Sequence, residues 1–155
     1  MSALWRAIVT DDPGAARRAF FPLAAYLQVK ALPDPAADWH ERLFTGFALD
    51  VGAAHQLLGP GAAGAMLVQV NIPSAQARWI RPGTCANRVG YWHIAGARLV
   101  YRSAGSVRSF GVASMISWRG TWYVVHLGAV AHPSATGVVD RPASGPGIPG
   151  PPGGC

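Results

Sequence analysis

The chain has 155 residues, of which 50% are hydrophobic and 13% are charged, and this composition is typical of one globular domain with a substantial core. The formal net charge of +6 comes from arginines scattered along the chain and a single lysine, which argues against a nucleic-acid interface. No segment reaches the roughly eighteen apolar residues of a membrane span, and no signal peptide is visible, so the default expectation is a cytoplasmic protein without a transmembrane segment.

The N-terminal part predicts several short helices. SALWRAIV forms a short helical turn, and Asp11 or Asp12 can cap a following helix that has Pro13 at its first position. Pro22 interrupts the next run, so FF closes one helix and LAAYLQVKAL forms a second or kinked one.

The segment DPAADWHERLFTGFALDVGAAHQLLG is the clearest helix in the sequence. Asp38 can cap it, and the residues GPG after Leu58 end it. Its apolar residues recur at spacings of three and four, and this stripe must face a core: Leu43, Phe44, Phe47, Val51, Ala54 and Leu58.

After Gly64 the hydrophobic period changes to two, which predicts strands in MLVQVNI, ARWI, RVGYWHI, ARLVYR, VRSFGVASMISW and TWYVVHLGAV. The pairs Ala95-Gly96, Ala104-Gly105 and Arg119-Gly120 suit tight hairpin turns. Helices followed by an antiparallel meander are typical of the α+β class. We therefore expect one domain over residues 1–131, with helices packed on a curved antiparallel sheet.

Residues 132–155 are rich in proline, glycine and serine, which predicts a disordered tail, with a short proline-rich ligand or linker as the alternative. Cys85 and Cys155 fit no zinc or CxxC spacing. Cys85 is expected to be a loop thiol, although one disulfide remains open if the chain is exported. The five histidines show no metal-binding spacing, so we expect no metal and no cofactor.

Counting through the three turns assigns side chains to two sheet faces. The face that the helices cover then carries Trp92, Leu99, Tyr101, Phe110, Val112, Ile116, Tyr123, Val125 and Leu127. The second face carries His126 opposite Ala113 and is a natural homodimer surface built from Met115, Trp122, Val124 and His126. A bulge between Phe110 and Ser117 would reverse the side on which His126 lies.

Three blocks, FFPLAAYLQVKAL, DWHERLFTGFALDV and RSFGVASMISWRGTWYVVHL, resemble a group of uncharacterised actinobacterial proteins in the nuclear transport factor 2-like superfamily. The resemblance covers about residues 3 to 130 and implies a cone-shaped α+β fold. It further implies a ligand site between helices and sheet, and pairing through the outer sheet face. Many members of the group look exported, so an exported or cell-envelope location is the alternative. No enzymatic motif of the superfamily matches residue by residue.

The expected cavity is lined by aromatic side chains: Tyr26, Phe44, Phe47, Trp92, Tyr101 and Tyr123. His40 and Asp50 are the candidate bases and Tyr101 the candidate hydrogen-bond donor. Equally, His40 can be a solvated helix-end residue, Asp50 a surface carboxylate and the tyrosines plain core.

The leading hypothesis is a noncatalytic module that binds a small apolar or amphipathic ligand, or a protein partner, in the cone. An isomerase or hydrolase with an Asp or His base is the alternative, and a structural dimerisation unit is the third.

Overall fold

The computed structural model describes residues 1–147 and has the α+β architecture, with helices in the N-terminal half and a curved antiparallel sheet after them. The helices are α1 (Ser2–Thr10), α2 (Leu23–Val29), α3 (Pro35–Asp38) and α4 (Thr45–Leu58). A π-helical segment, Trp39–Phe44, joins α3 to α4, and short 3-10 turns occupy Pro13–Ala16, Gly59–Gly64, Ser74–Gln76 and Thr84–Ala86.

Two aspartates start helical segments through their side chains. Asp12 caps the turn Pro13–Ala16 by accepting a hydrogen bond from the Gly14 amide at 2.9 Å, as the sequence predicts. The long helix begins at Asp34, which accepts from the Ala37 amide, and the prediction that Asp38 caps it was wrong. Since the Asp-Pro start lies four residues earlier, Asp38 lies inside the helix and its carboxylate is available to other side chains.

The sheet contains β1 (Met66–Asn71), β2 (Arg78–Ile80), β3 (Tyr91–Ser103), β4 (Ser106–Trp118), β5 (Thr121–His126) and β6 (Ala143–Ser144). The order is β1-β3-β4-β5, with β2 also beside β3 and β6 also beside β4. Residues 19–21 extend the β5 edge through a parallel bridge between Phe20 and Val124, so the expected helix end at FF is an extended segment instead.

The predicted turn at Ala95-Gly96 was wrong, because β3 runs through this pair and stays in register with β4 on both sides. Gly96 has φ 75, a conformation that glycine adopts without steric cost, so the strand continues through this position without reversing. The other two predicted turns are confirmed: Ala104-Gly105 and Arg119-Gly120 have positive φ at both residues, as type I′ hairpins require.

One continuous core fills the space between the helices and the sheet face that they cover, here called the inner face. Tyr101 lies between Trp5, at 5.0 Å between ring centroids, and Phe110, at 5.3 Å. Phe20 packs on Phe47 of α4 at 4.4 Å. Burying a large apolar side chain contributes about 1.5 to 3 kcal/mol, so these rings carry much of the stability of the domain.

Residues 132–147 pack against the domain, which corrects the expectation of disorder from residue 132. β6 pairs with Arg108 and Ser109 of β4. The Asp140 carboxylate accepts from Arg98 Nη1 at 2.8 Å and from the Gly111 amide at 3.0 Å. Backbone pairing and a charge-assisted hydrogen bond therefore offset the low apolar content of this segment. The rest of the predicted tail, 148–155, lies outside the described residues.

Candidate ligand-binding site

A cavity of about 240 Å³ lies between α2, the π-helical segment and the inner face of the sheet. This volume equals that of about eight water molecules in the liquid. The wall combines apolar side chains with titratable and hydroxyl groups: Phe21, Tyr26, Val29, Lys30, Arg42, Leu43, Arg78, Ile80, Tyr91, His93, Ser114, Ile116, Val125 and His126. Apolar walls with a few polar groups are typical of sites for small molecules.

A β-bulge in β5 turns His126 into the cavity. Val124 pairs with Met115 and His126 pairs with Ser114, so Val125 is an extra residue without a partner on β4. The count that placed His126 opposite Ala113 on the outer face was therefore wrong by one residue, and the bulge is the physical reason. Both Val125 and His126 line the cavity.

His126 is 7% exposed, and no group within residues 1–147 forms a hydrogen bond with its imidazole. Burial lowers the pKa of His126 to about 4, and the nearby charges of Arg42, His132 and Lys30 act in the same direction. The ring is therefore neutral at neutral pH. It offers one N–H donor and one acceptor to whatever occupies the cavity.

A second imidazole and a hydroxyl lie beside it. His93 Nε2 is 2.7 Å from Ser114 Oγ, and Ser114 is itself the sheet partner of His126. Burial, with a smaller effect of the Arg78 charge, lowers the pKa of His93. This end of the cavity thus presents neutral groups that can donate or accept hydrogen bonds.

The helical wall carries a network of three polar side chains. The Tyr26 hydroxyl donates to Asp38 Oδ2, and Arg42 Nη2 donates to the Tyr26 oxygen at 3.0 Å. Arg42 also binds both Asp38 oxygens at 2.7 Å. These two hydrogen bonds from Arg42 hold the pKa of Asp38 below its usual value, whereas burial and the Asp38 contact raise the pKa of Tyr26. The network holds Tyr26 and Arg42 at the cavity wall.

A loop beside the cavity is fixed by side-chain contacts. Lys30 Nζ donates to the Cys85 carbonyl at 2.8 Å, and Asn87 Nδ2 donates to the Tyr91 hydroxyl at 3.1 Å. Asn87 is buried, and its side-chain oxygen has no hydrogen-bond partner in the part of the chain that the structure describes. Cys85 is disulfide-bonded, which corrects the expectation of a loop thiol.

Of the six aromatic residues predicted to line the cavity, Tyr26 does so. Phe44 and Phe47 pack on Phe20, at 5.6 and 4.4 Å between centroids, and belong to the packed core. Tyr101 is 1% exposed between other rings and does not line the cavity. The Tyr123 ring lies 5.9 Å from that of Phe21 and is also absent from the cavity wall.

Trp92 lies on the outer face, because the absence of a turn at Gly96 shifts it to the opposite side from Leu99. It is 47% exposed and packs against the Trp79 ring at 5.6 Å.

The predicted dimer residues Met115, Val124 and His126 are buried within one chain, and Trp122 is half-buried. These side chains therefore offer little surface to a partner, and a homodimer through the outer face stays a prediction.

The two predicted bases lie away from the cavity. His40 is exposed, with its ring against the edge of Trp39 at 4.8 Å. Asp50 is fully buried and accepts hydrogen bonds from the Gly128 amide, the Val138 amide and His132 Nε2, each at 2.9 Å. Burial raises the pKa of Asp50 and these donors oppose the rise. Asp50 thus anchors the segment after β5, and the prediction that it reaches the cavity was wrong.

Sequence reasoning missed His93, Ser114 and the cationic residues of the cavity. An unbroken β3 would have placed His93 on the same face as Leu99 and Tyr101, so the signal was present in the alternation. The bulge at Val125 has no comparable signal in the sequence, because the residues TWYVVH are compatible with a regular strand as well as with a bulged one.

No group of three or more His, Cys, Asp or Glu side chains within the described residues is arranged to hold a metal ion. No helix in that part of the chain is long and apolar enough to span a membrane. Comparisons with protein-family models, with curated proteins and with solved structures gave no match.

Proposed function

We propose that the protein is a binding module for a compact amphipathic small molecule that occupies the cavity between α2 and the sheet. The observation that carries this proposal is the His126 imidazole, which faces the cavity without a hydrogen-bond partner among the described residues. The ring nitrogens of His126 are accessible from the cavity, and a hydrogen bond to a ligand there contributes about 0.5 to 1.5 kcal/mol.

The apolar part of the wall supports the same proposal. Phe21, Leu43 and Ile116 are almost completely buried, yet they border an open volume of about 240 Å³. A ligand that displaces water from such a wall gains about 25 cal/mol for each Å² of apolar surface that it covers. The nuclear transport factor 2-like resemblance points to the same location between helices and sheet.

Screening a library of small amphipathic compounds by NMR tests the proposal. We expect ligands to shift the amide signals of His126, Ser114 and Ile116. Val125→Phe should abolish these shifts because the larger ring fills the cavity. Val107→Phe makes the same change on β4 at a half-exposed position outside the cavity and should leave binding unchanged. Shifts that persist in Val125→Phe, or that occur only elsewhere in the chain, would contradict the proposal.

A hydrolase is the second candidate function, and the contact of 2.7 Å between His93 Nε2 and Ser114 Oγ favours it. A histidine that accepts the proton of a serine hydroxyl increases the nucleophilicity of that serine. Turnover of a small activated ester should then fall at least about a hundredfold in Ser114→Ala. Ser117→Ala, a half-buried serine of the same strand outside the cavity, is the control. Equal rates in both variants would exclude this candidate.

A further inference from the structure

The charged groups around the cavity have one sign. Lys30, Arg42 and Arg78 line it, and no aspartate or glutamate belongs to its described wall. The Asp38 carboxylate contacts two residues of the wall, and it already accepts hydrogen bonds from both of them, Arg42 and Tyr26. The electrostatic potential in the cavity is therefore positive, and a low-dielectric wall increases its effect on a bound charge.

These cations keep free donors. Arg42 uses Nε and Nη2 within its network, and its Nη1 forms no hydrogen bond with the described residues. Lys30 uses one of its three N–H groups for the Cys85 carbonyl. Arg78 is exposed, and its guanidinium makes no hydrogen bond within residues 1–147. Three neighbouring cations with unused N–H groups form a suitable partner for an anionic oxygen group.

The position of the charges sets the orientation of a ligand. The Arg42 side chain is 46% exposed and Arg78 is exposed, so these two cations lie at the opening of the cavity, whereas Lys30 is partly buried. Ser114 and His126 are 1% and 7% exposed and lie at its inner end. Apolar side chains, among them Phe21, Leu43 and Ile116, line the same cavity beside these polar groups.

We propose that the cavity selects a small organic anion. Its carboxylate or phosphate group binds Arg42 and Arg78 at the opening, together with the partly buried Lys30. Its apolar body fills the space below and reaches toward His126. This inference rests on the proposed binding function and adds the chemical class of the ligand. The shared chemistry is an anionic oxygen group, and the size of the cavity restricts the body to about one aromatic ring.

Three probes of nearly equal size separate charge from shape: benzoate, phenyl phosphate and the neutral benzamide. Their dissociation constants are measured by NMR titration of the full chain at low ionic strength. We expect benzoate or phenyl phosphate to bind at least about tenfold more tightly than benzamide, because a charge-assisted hydrogen bond is about twice as strong as a neutral one. Whichever of the two anions binds more tightly identifies the preferred acidic group.

Charge-removing variants locate the anionic group. Arg78→Gln and Lys30→Gln should each weaken binding of the anion about three- to tenfold and leave benzamide affinity unchanged. Arg42→Lys keeps the charge while removing the forked contact with Asp38, and should retain most of the anion preference. Arg17→Gln removes the same charge from an exposed residue outside the cavity wall, and should change neither affinity.

Equal affinity for benzoate, phenyl phosphate and benzamide would overturn this inference and leave the proposed binding function standing. An anion preference that Arg17→Gln reduces as much as Arg78→Gln would also overturn it, because the effect would then come from net charge. If none of the three probes shifts the signals of cavity residues, both the inference and the proposed function fail for ligands of this size.

Discussion

His126 and His132 are six residues apart and lie in opposite situations. His132 Nε2 is 2.9 Å from Asp50, within a cluster in which both carboxylate oxygens accept hydrogen bonds. His126 has no such partner among the described residues and faces an open cavity. The Asp50 cluster, whose hydrogen bonds are satisfied within the chain, connects α4 to the segment after β5 and stabilises the fold. The cavity around His126 has donors and acceptors available for a ligand.

The largest expected effect tests the contribution of the Asp50 cluster to the stability of the fold. Asp50→Ala leaves His132 and the amides of Gly128 and Val138 without their acceptor, so we expect a loss of about 3 to 5 kcal/mol in the free energy of unfolding. Urea denaturation measures this loss. Asp34→Ala, which removes a helix cap with a single side-chain hydrogen bond, should cost about 1 kcal/mol and serves as the control.

A loss in Asp50→Ala no larger than that of the Asp34 variant would show that Asp50 does not anchor the segment. Hydrogen exchange of the amides of Gly128 and Val138 gives an independent measurement, because both should lose protection in Asp50→Ala.

The second effect is the pH dependence of stability that results from burying His126 without a hydrogen-bond partner among the described residues. Its pKa is about 4 in the folded protein, below the 6.5 of a free histidine. Between these values the unfolded chain binds a proton that the folded protein does not. The contribution of His126 to the free energy of unfolding is therefore fully present above pH 6.5. It is lost as the pH falls toward 4, and the loss is about 3 kcal/mol in total.

His126→Gln removes this contribution, so the variant should lose about 3 kcal/mol less than the wild type between pH 7 and pH 4. Urea denaturation at several pH values in that interval measures the difference. Taking the difference cancels the contributions of Asp38, Asp50 and His93, which both proteins share. His40→Gln, at an exposed histidine, should follow the wild type. Parallel curves for the wild type and His126→Gln would mean that His126 titrates as a solvated residue.

The smallest effect is expected for Tyr26→Phe, on the cavity wall. The substitution removes one hydroxyl, but Asp38 keeps both of its hydrogen bonds from Arg42. We expect a loss of about 1 kcal/mol or less in thermal or urea denaturation, with Tyr123→Phe as the matched control. A loss near that of Asp50→Ala would show that the Tyr26 network stabilises the fold as strongly as the Asp50 cluster, and the contrast between the two regions would disappear.

Much of the fold followed from local patterns in the sequence. The α+β order, β1, β2 and the two type I′ turns are set by hydrophobic period and by Gly at positions with positive φ, and these signals act over a few residues. The turn predicted at Gly96 shows the limit of this reasoning, because glycine suits a bend within a strand as well as a hairpin.

The site was less predictable because it depends on contacts between distant residues. The partners of Asp50 lie 78 to 88 residues away in the sequence, and those of Arg98 include Asp140, 42 residues away. Composition predicted disorder after residue 131, and these long-range hydrogen bonds override it up to residue 147. The position of Tyr26 at the cavity was predicted from its helix. The positions of Lys30 and Arg42 at the cavity follow only from the tertiary arrangement.

The extra residue in β5 makes the chemistry of the cavity a matter of strand register as well as residue type. A regular β5 of the same length would place His126 opposite Ala113 and its imidazole on the other side of the sheet, with no change in the identity of any residue. Deleting Val125 would instead remove the bulge and keep His126 opposite Ser114, at the inner end of the cavity. The bulge is therefore itself a determinant of specificity, because it decides which side chain closes that end.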